Sequence, residues 1–318
     1  MRIMSGAFVF RTFVACFILI AVSMAPCWGE AANDQPGWEK AAGGQMSFDV
    51  ASVRLDDSGK FNPPNFALDS GDGPIPPGGR FHADFQLPTY IAFAYKLWLT
   101  SDQIDQMLAH LPRWVATDHF MIEARASGHP TKDQMRLMVR NLLAERFNLS
   151  AHFETKETPV LAMTLIKPGE LGPGIKPHAQ GPSCDVELPA ATNSAMVKRP
   201  GIFPGVCDSY QVTIGADGAL LIGSRNTAMA QLAASLAGPG RLGRPVIDET
   251  GLTGTYDFVL NFAAQYNVEN STGMNSTVDS AGPTFLEAVK NQLGVKLVPK
   301  KAPLRILVID HLEMPSPN

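Results

Sequence analysis

Catalytic signatures, cysteines, clustered histidines and long apolar runs are all scarce in this sequence, and each shortage narrows what the protein can be. There is no GxSxG elbow, HExxH pair, P-loop, SxxK or Rossmann glycine fingerprint, which removes the sequence arguments for the enzyme classes those motifs serve. Catalysis itself survives that test, because catalytic groups are assembled by geometry. Only 18% of the 318 residues are charged and the formal net charge is −4, so no basic footprint exists for nucleic acid or anionic lipid. The seven histidines show no spacing that would bring three metal ligands together. No metal and no cofactor is expected. The apolar run Thr12 to Ala25 falls short of the ~20 residues a membrane span requires.

What is present points to an exported globular protein. Arg2 and Arg11 precede the apolar run, and small residues follow at Gly29, Ala31 and Ala32, the pattern of a secretory signal peptide over residues 1–31. A retained N-terminal anchor is the rival reading. Pro26 before Cys27 makes a poor lipid-attachment site. Cleavage near Ala31 leaves a charge of about −5, no stable membrane span and a periplasmic or secreted location. It also leaves two cysteines, Cys184 and Cys207. They lack CxxC-like spacing and clustered histidines, so a disulfide staple of roughly 3 kcal/mol is the expectation.

At 45% hydrophobic the chain has core enough for one or two modules. Residues 32–47 read as a mobile leader. In the first module, 48–167, Phe48 to Arg54 and Arg80 to Phe85 alternate as strands. Between them Leu55 to Gly79 is so rich in Pro, Gly and Asp that it must be surface loop. Pro88 opens a helix to Trp98, and Ser101 caps another. His119 to Ala126 is a strand. Thr131 and Gln134 form a capping box ahead of the stripe Met135, Met138, Leu142, Leu143, Phe147. Leu149 to Lys156 and Pro159 to Lys167 read as paired strands.

Residues 168–208 form a Pro/Gly-rich linker holding the disulfide. The second module, 209–318, contains a hairpin about Asp217-Gly218 and a helix capped by Thr227. Next comes RLGRPVIDETGLTGTYDFVLNF (Arg241 to Phe262), which spells a helix stop at Gly243, a short strand, a Gly251 to Gly254 turn and an alternating strand. Ala263 to Ala281 reads as a flexible excursion. Pro283 and Thr284 start a last helix that Gly294 stops, ahead of strands Val295 to Val298 and Leu304 to Ile309. The order of elements repeats at offsets of roughly 136 to 146 residues, in the manner of an internal repeat. The expected fold is α+β, two tandem related modules, each a small mixed sheet with helices on one face and each burying its own apolar side.

Three weak catalytic candidates stand out. His152 and Glu154 share a strand face and fit a general base or a metal seat, against the plainer reading of a solvated strand face. Asp257, with Asp248 and Glu249, brackets the glycine turn and could form an acidic pocket, although Asp in such turns mostly bonds its own backbone. Asp310 and His311 are neighbours and point to opposite faces. His119 is a turn or edge residue. Trp98, Trp114, Tyr90 and Tyr95 could line a groove but more often pack as core.

The blocks FDVASV, GGRF, PRWVATDHFMIEA, QMRLMVRNLLAERFNLSAHFETKETPVLAM, GRPVIDETGLTGTYDFVLNF and LGVKLVPKKAPLRILVIDHLEMPSPN together resemble a soil-associated, mainly acidobacterial family of exported proteins of unknown function. That resemblance runs from about Phe48 to the end. It implies an exported protein, sometimes joined to a membrane-bound metallopeptidase of antibiotic-sensor type, and it brings no catalytic residues. Each half also resembles the short N-terminal modules of secretins and TonB-dependent receptors, which bind other proteins; this is fold-level analogy. The leading expectation is a non-catalytic binding or assembly module at the cell envelope, with an envelope protein as partner. The alternatives are an extracytoplasmic hydrolase with a site between the modules, using His152, Glu154 or Asp257, and a sensor module for a separate membrane metallopeptidase.

Overall fold

A computed structural model describes residues 37–44, 46–60, 62–181, 183–184, 204–214, 219–263, 265–269, 275–279 and 282–315. The expected signal peptide, residues 1–31, and the expected Asp217-Gly218 turn lie outside the described residues. Among those residues no helix is long and apolar enough to cross a membrane. The fold is α+β.

The first half comprises α1 (Gly37–Ala42), β1 (Val50–Asp56), β2 (Arg80–Phe85), α2 (Leu87–Ala94), α3 (Ser101–Leu108), α4 (Trp114–Thr117), β3 (His119–Arg125), α5 (Lys132–Phe147) and β4 (Ser150–Leu165). An antiparallel sheet of order β1-β3-β2 lays Phe81, Phe120 and Ile122 against Tyr90, Ile91, Val139 and Leu143 of α2 and α5. The capping box of Thr131 and Gln134 forms as the sequence predicts, and α5 ends on Asn148 in the left-handed region. Phe120 meets Phe147 edge-on at 5.1 Å, and the buried Tyr90 hydroxyl donates to the Phe120 carbonyl at 2.6 Å. Burial pushes the Tyr90 phenol well above its ordinary range.

The second half comprises β5 (Ile175–Pro177), β6 (Gln211–Ile214), β7 (Leu220–Ala228), α6 (Met229–Leu236), β8 (Val246–Asp248), β9 (Thr255–Phe262), β10 (Gln265–Glu269), β11 (Asn275–Asp279), α7 (Phe285–Ala288, widening into a π turn over Val289–Leu293) and β12 (Val295–His311). The antiparallel sheet β5-β9-β7-β6 lays Tyr256, Phe258, Leu260 and Phe262 against Leu232 and Leu236 of α6 and Val289 and Leu293 of α7. Gly294, at φ +73°, stops α7 where Asn148 stops α5. The only parallel pairing between described strands joins β4 to β8.

The strands that close each half differ from expectation. Leu149 to Lys167 is not a strand pair and neither is Val295 to Ile309; each is one long strand, and the two pair antiparallel from Val295↔Leu165 to His311↔Ser150. The start of β4 and the end of β12 (Ala151, Phe153, Leu307, Ile309, with Leu312) pack on the first core. The end of β4 and the start of β12 (Leu161, Met163, Leu165, Val295, Leu297) pack on the second. Each half therefore borrows its last strand segment from the other rather than burying an apolar side alone.

Three stretches expected to be loose are ordered. In the expected leader, α1 sets Trp38 beneath Lys96 and Arg140, and its buried Glu39 meets Arg140 at 3.0 Å. In the loop before β2, Phe66 is buried in the first core. The fully buried Arg136 of α5 grips the same loop through the Asp69 carbonyl at 3.0 Å and the Gly71 carbonyl at 2.5 Å. The excursion after β9 carries the β10/β11 hairpin. Two caps also shift: Thr100, not Ser101, caps α3, and Ala228 precedes α6 while Thr227 stays in β7.

Candidate functional site

His152 and Glu154 come together at 3.3 Å on the exposed face of β4, and Asp310 joins them from β12 at 2.9 Å. Asp310 reaches that face at a register irregularity between Ile309 and His311, whereas His311 turns to Glu313 at 2.8 Å. All three groups of the cluster are well exposed. Asp310 first, then Glu154, raises the His152 pKa above its ordinary 6.5. The sign follows: the pairing supports the fold fully below about pH 6.5 and that support disappears as the pH rises through the higher folded-state value. An NMR titration should find His152 titrating above the ordinary imidazole value of 6.5 and Asp310→Asn bringing it down. An unchanged midpoint in Asp310→Asn would remove the pairing.

Asp257 lies in a different sheet from this trio. Asp248 accepts from its own turn, from the Thr250 backbone at 2.9 Å and hydroxyl at 2.7 Å, and Glu249 pairs with Lys300 at 2.6 Å. The three acids about the glycine turn thus make no common pocket. On β9 the residues Tyr256 and Phe258 face the second core, so Asp257 between them faces the other side of the sheet. There the chain after β5 covers it, and Asp257 is 7% exposed.

That covering chain holds the residue the sequence did not announce. Pro177 ends β5 and leads into a 3-10 turn His178–Gln180, closed by Gly181 N–H donating to the His178 carbonyl at 2.8 Å. The His178 Nδ1–H donates to Asp257 Oδ1 at 2.6 Å. A bulge in β7, where the register slips between Ser224 and Thr227, turns the Asn226 backbone N–H onto the same oxygen at 3.0 Å. Arg225 approaches the other carboxylate oxygen at 3.9 Å, so the buried charge is compensated.

With Nδ1 committed to Asp257, His178 Nε2 faces the Cys184 sulfur at 3.3 Å. Cys184 and Cys207 are disulfide-bonded, with Cα atoms 5.7 Å apart. Nε2 and the two sulfurs all lie within 4.8 Å of one another. No short-range signal in the sequence could have found this grouping, because His178 and Asp257 are 79 residues apart.

The chain following Cys207 reaches the cleft between the halves. Asp208 accepts from the Asn226 side chain at 2.8 Å, and burial raises its carboxyl pKa against that hydrogen bond. Trp98 and Tyr210 meet edge-on at 5.4 Å across the cleft, while Trp114 packs on Phe120 and Tyr95 on Phe153. The cavity here is about 20 Å³, lined by Asp69, Trp98, Asp208, Tyr210, Thr227 and Gln231 among others. That is room for about one water molecule.

A larger concavity lies at one end of the β1-β3-β2 sheet, a groove of about 660 Å³ lined by Val50, Ser52, Gly78, Arg80, Glu123 and Arg125 among others. Arg80 and Arg125 are directly paired across β2 and β3, so their side chains share the exposed face. Val50, the partner of Arg125 on β1, is 66% exposed.

A protein-family model described as "Protein of unknown function (DUF3738)" matches residues 88–312. Nothing matches among curated proteins or among solved structures.

Proposed function

This chain belongs to the DUF3738 family, and we propose that it is an exported protein that works by binding an extended, acidic segment of an envelope partner rather than by catalysis. The observation that carries the reading is the Arg80–Arg125 pair in the open groove. Like charges directly opposite on neighbouring strands destabilise a sheet, and an anionic ligand reverses that cost. The neighbouring pair on the same face, His82 and Glu123 at 3.3 Å, is by contrast already matched. Beside the arginines, β1 pairs only with β3 among the described strands, leaving an edge to which an extended segment can add by main-chain hydrogen bonds. The cleft between the halves, at about 20 Å³, is far below the roughly 300–1,000 Å³ of ordinary small-molecule sites, which weighs against a hydrolase built there. The export pattern and the disulfide favour a periplasmic or secreted setting.

Tagged protein with Arg80→Glu and Arg125→Glu should lose its partner in pull-downs from the native envelope, with an unchanged unfolding midpoint. Binding should weaken as salt rises. Retention of every partner by the double variant, or turnover of ester, peptide or glycoside substrates that a point substitution abolishes, would sink this reading.

A further inference from the structure

The geometry points to a second, separate site: once the Cys184–Cys207 disulfide is reduced, its two sulfurs and His178 Nε2 form a binding site for zinc(II), with Asp257 holding the imidazole. Three observations converge on it. The three ligand atoms already lie within 4.8 Å of one another, a spread that small side-chain rotations bring to the ~2.0–2.3 Å bond lengths of zinc. The His178 Nδ1–H is donated to Asp257 at 2.6 Å, which leaves the Nε2 lone pair aimed at the sulfurs, the carboxylate–histidine–metal arrangement that fixes a ligand's tautomer. Asp257 is itself 7% exposed and is held by the Asn226 N–H at 3.0 Å.

A simple staple needs none of this. Burying a carboxylate and most of an imidazole against a disulfide costs desolvation, and a staple across residues 184 to 207 would constrain the chain equally well without them. Two thiolates and one imidazole select a thiophilic d10 ion over calcium or magnesium, which take oxygen ligands. Three protein ligands leave the fourth tetrahedral position open.

The chemistry balances with a dithiol as reductant. Its two sulfurs are oxidised to a disulfide, and the Cys184–Cys207 bond takes up the two electrons and two protons to become two thiols. Zinc then displaces both thiol protons to solvent. The oxidised chain offers only His178, so metal binding is gated by the redox state of the pair.

The test uses the full mature chain, oxidised or reduced by a phosphine that does not bind zinc, dialysed against zinc and assayed for metal content. Reduced protein should hold about one zinc per chain and oxidised protein essentially none. His178→Ala should abolish tight binding. Asp257→Asn should weaken it about 10- to 100-fold, as expected for loss of an orienting carboxylate. Cobalt(II) in the reduced protein should give a thiolate charge-transfer band that Cys207→Ser diminishes. Circular dichroism of each oxidised variant that keeps both cysteines, and zinc uptake by reduced His152→Ala, separate lost ligands from lost fold. The proposal is overturned if reduced protein takes up no zinc, or if folded His178→Ala binds it as tightly as the parent. It is also overturned if Cys207→Ser leaves the cobalt band intact, which would make Cys184 a lone thiol beside a base. None of these outcomes bears on the arginine groove.

Discussion

Arg136→Met is expected to destabilise the protein by about 3–5 kcal/mol, the cost of breaking a buried ion network from one side. Arg136 is fully buried. It bonds Asp133, and it meets Asp72 at 3.1 Å and the carbonyls of Asp69 and Gly71. Lys132 bonds Asp69, and Lys96 links Asp72 at 2.6 Å with Asp133 at 3.1 Å. Burial lowers the Lys132 pKa, opposed by Asp69, while against desolvation Lys96 and Arg136 hold the Asp72 carboxyl below its ordinary value. Methionine would fill the space beside Phe93, whose ring lies 5.4 Å from the guanidinium, but would leave the Asp69 and Gly71 carbonyls without their arginine donor and Asp133 with Lys96 alone. Arg136→Lys should cost less, because it keeps the charge and loses only the fork that spans both carbonyls. Urea midpoints measure the loss. Limited proteolysis locates it, with new cuts expected near Asp69 to Gly73, since that segment is what the arginine ties down. A loss below about 1 kcal/mol in Arg136→Met would mean the loop is held without the arginine, by Phe66 and by the lysine pairs to Asp69 and Asp72.

That arginine also shows where sequence reading reaches its limit. The Pro, Gly and Asp content of Leu55 to Gly79 does specify irregular backbone, and past the end of β1 at Asp56 the described residues of that stretch are irregular. What anchors it sits on α5, 65 residues from Gly71, at a position whose own helix pattern reads as polar. Local grammar was legible at several places where the cause was local: the Thr131 box, the stop at Gly294, the Tyr256 to Phe262 alternation. The cysteine pair was legible because the export expected from the first residues would leave two thiols few other fates. Prolines misled where a tertiary partner overruled them. Pro159 and Pro303 appear to cut β4 and β12, yet Pro159 pairs with Lys301 and Pro303 with Glu157 within unbroken strands. Proline is tolerated in a ribbon where the missing N–H would face away from the partner strand. At the site, Asp257 was visible as an acid near a glycine turn, but its partner depends on which face of β9 it occupies and on the 3-10 turn at His178.

The exchange of strand ends carries the largest effect of all. A chain ending at Pro303 keeps every residue of the second core, whose last member is Leu297, and removes Leu307, Ile309 and Leu312 from the first. Each such side chain contributes about 1.5–3 kcal/mol by burial, and the ribbon pairing from Leu304↔Lys156 to His311↔Ser150 goes with them. That total rivals the ~5–15 kcal/mol by which a whole domain is stable. The truncated chain should therefore lose the cooperative fold of its first half and keep that of its second. Hydrogen exchange reads the difference: amides of β3 and α5 should lose their protection, while those of β7 and β9 keep theirs. Met163→Ala, placed on β4 but buried in the second core, should act in the opposite sense, costing about 2–5 kcal/mol and loosening β9 more than β3. If β3 stayed protected in the truncated chain, the halves would be self-sufficient modules and the long ribbon merely a connection between them. If both halves opened together, the ribbon would couple the two cores into one cooperative unit, and an event at the disulfide in the second half would then be felt at the arginine groove in the first.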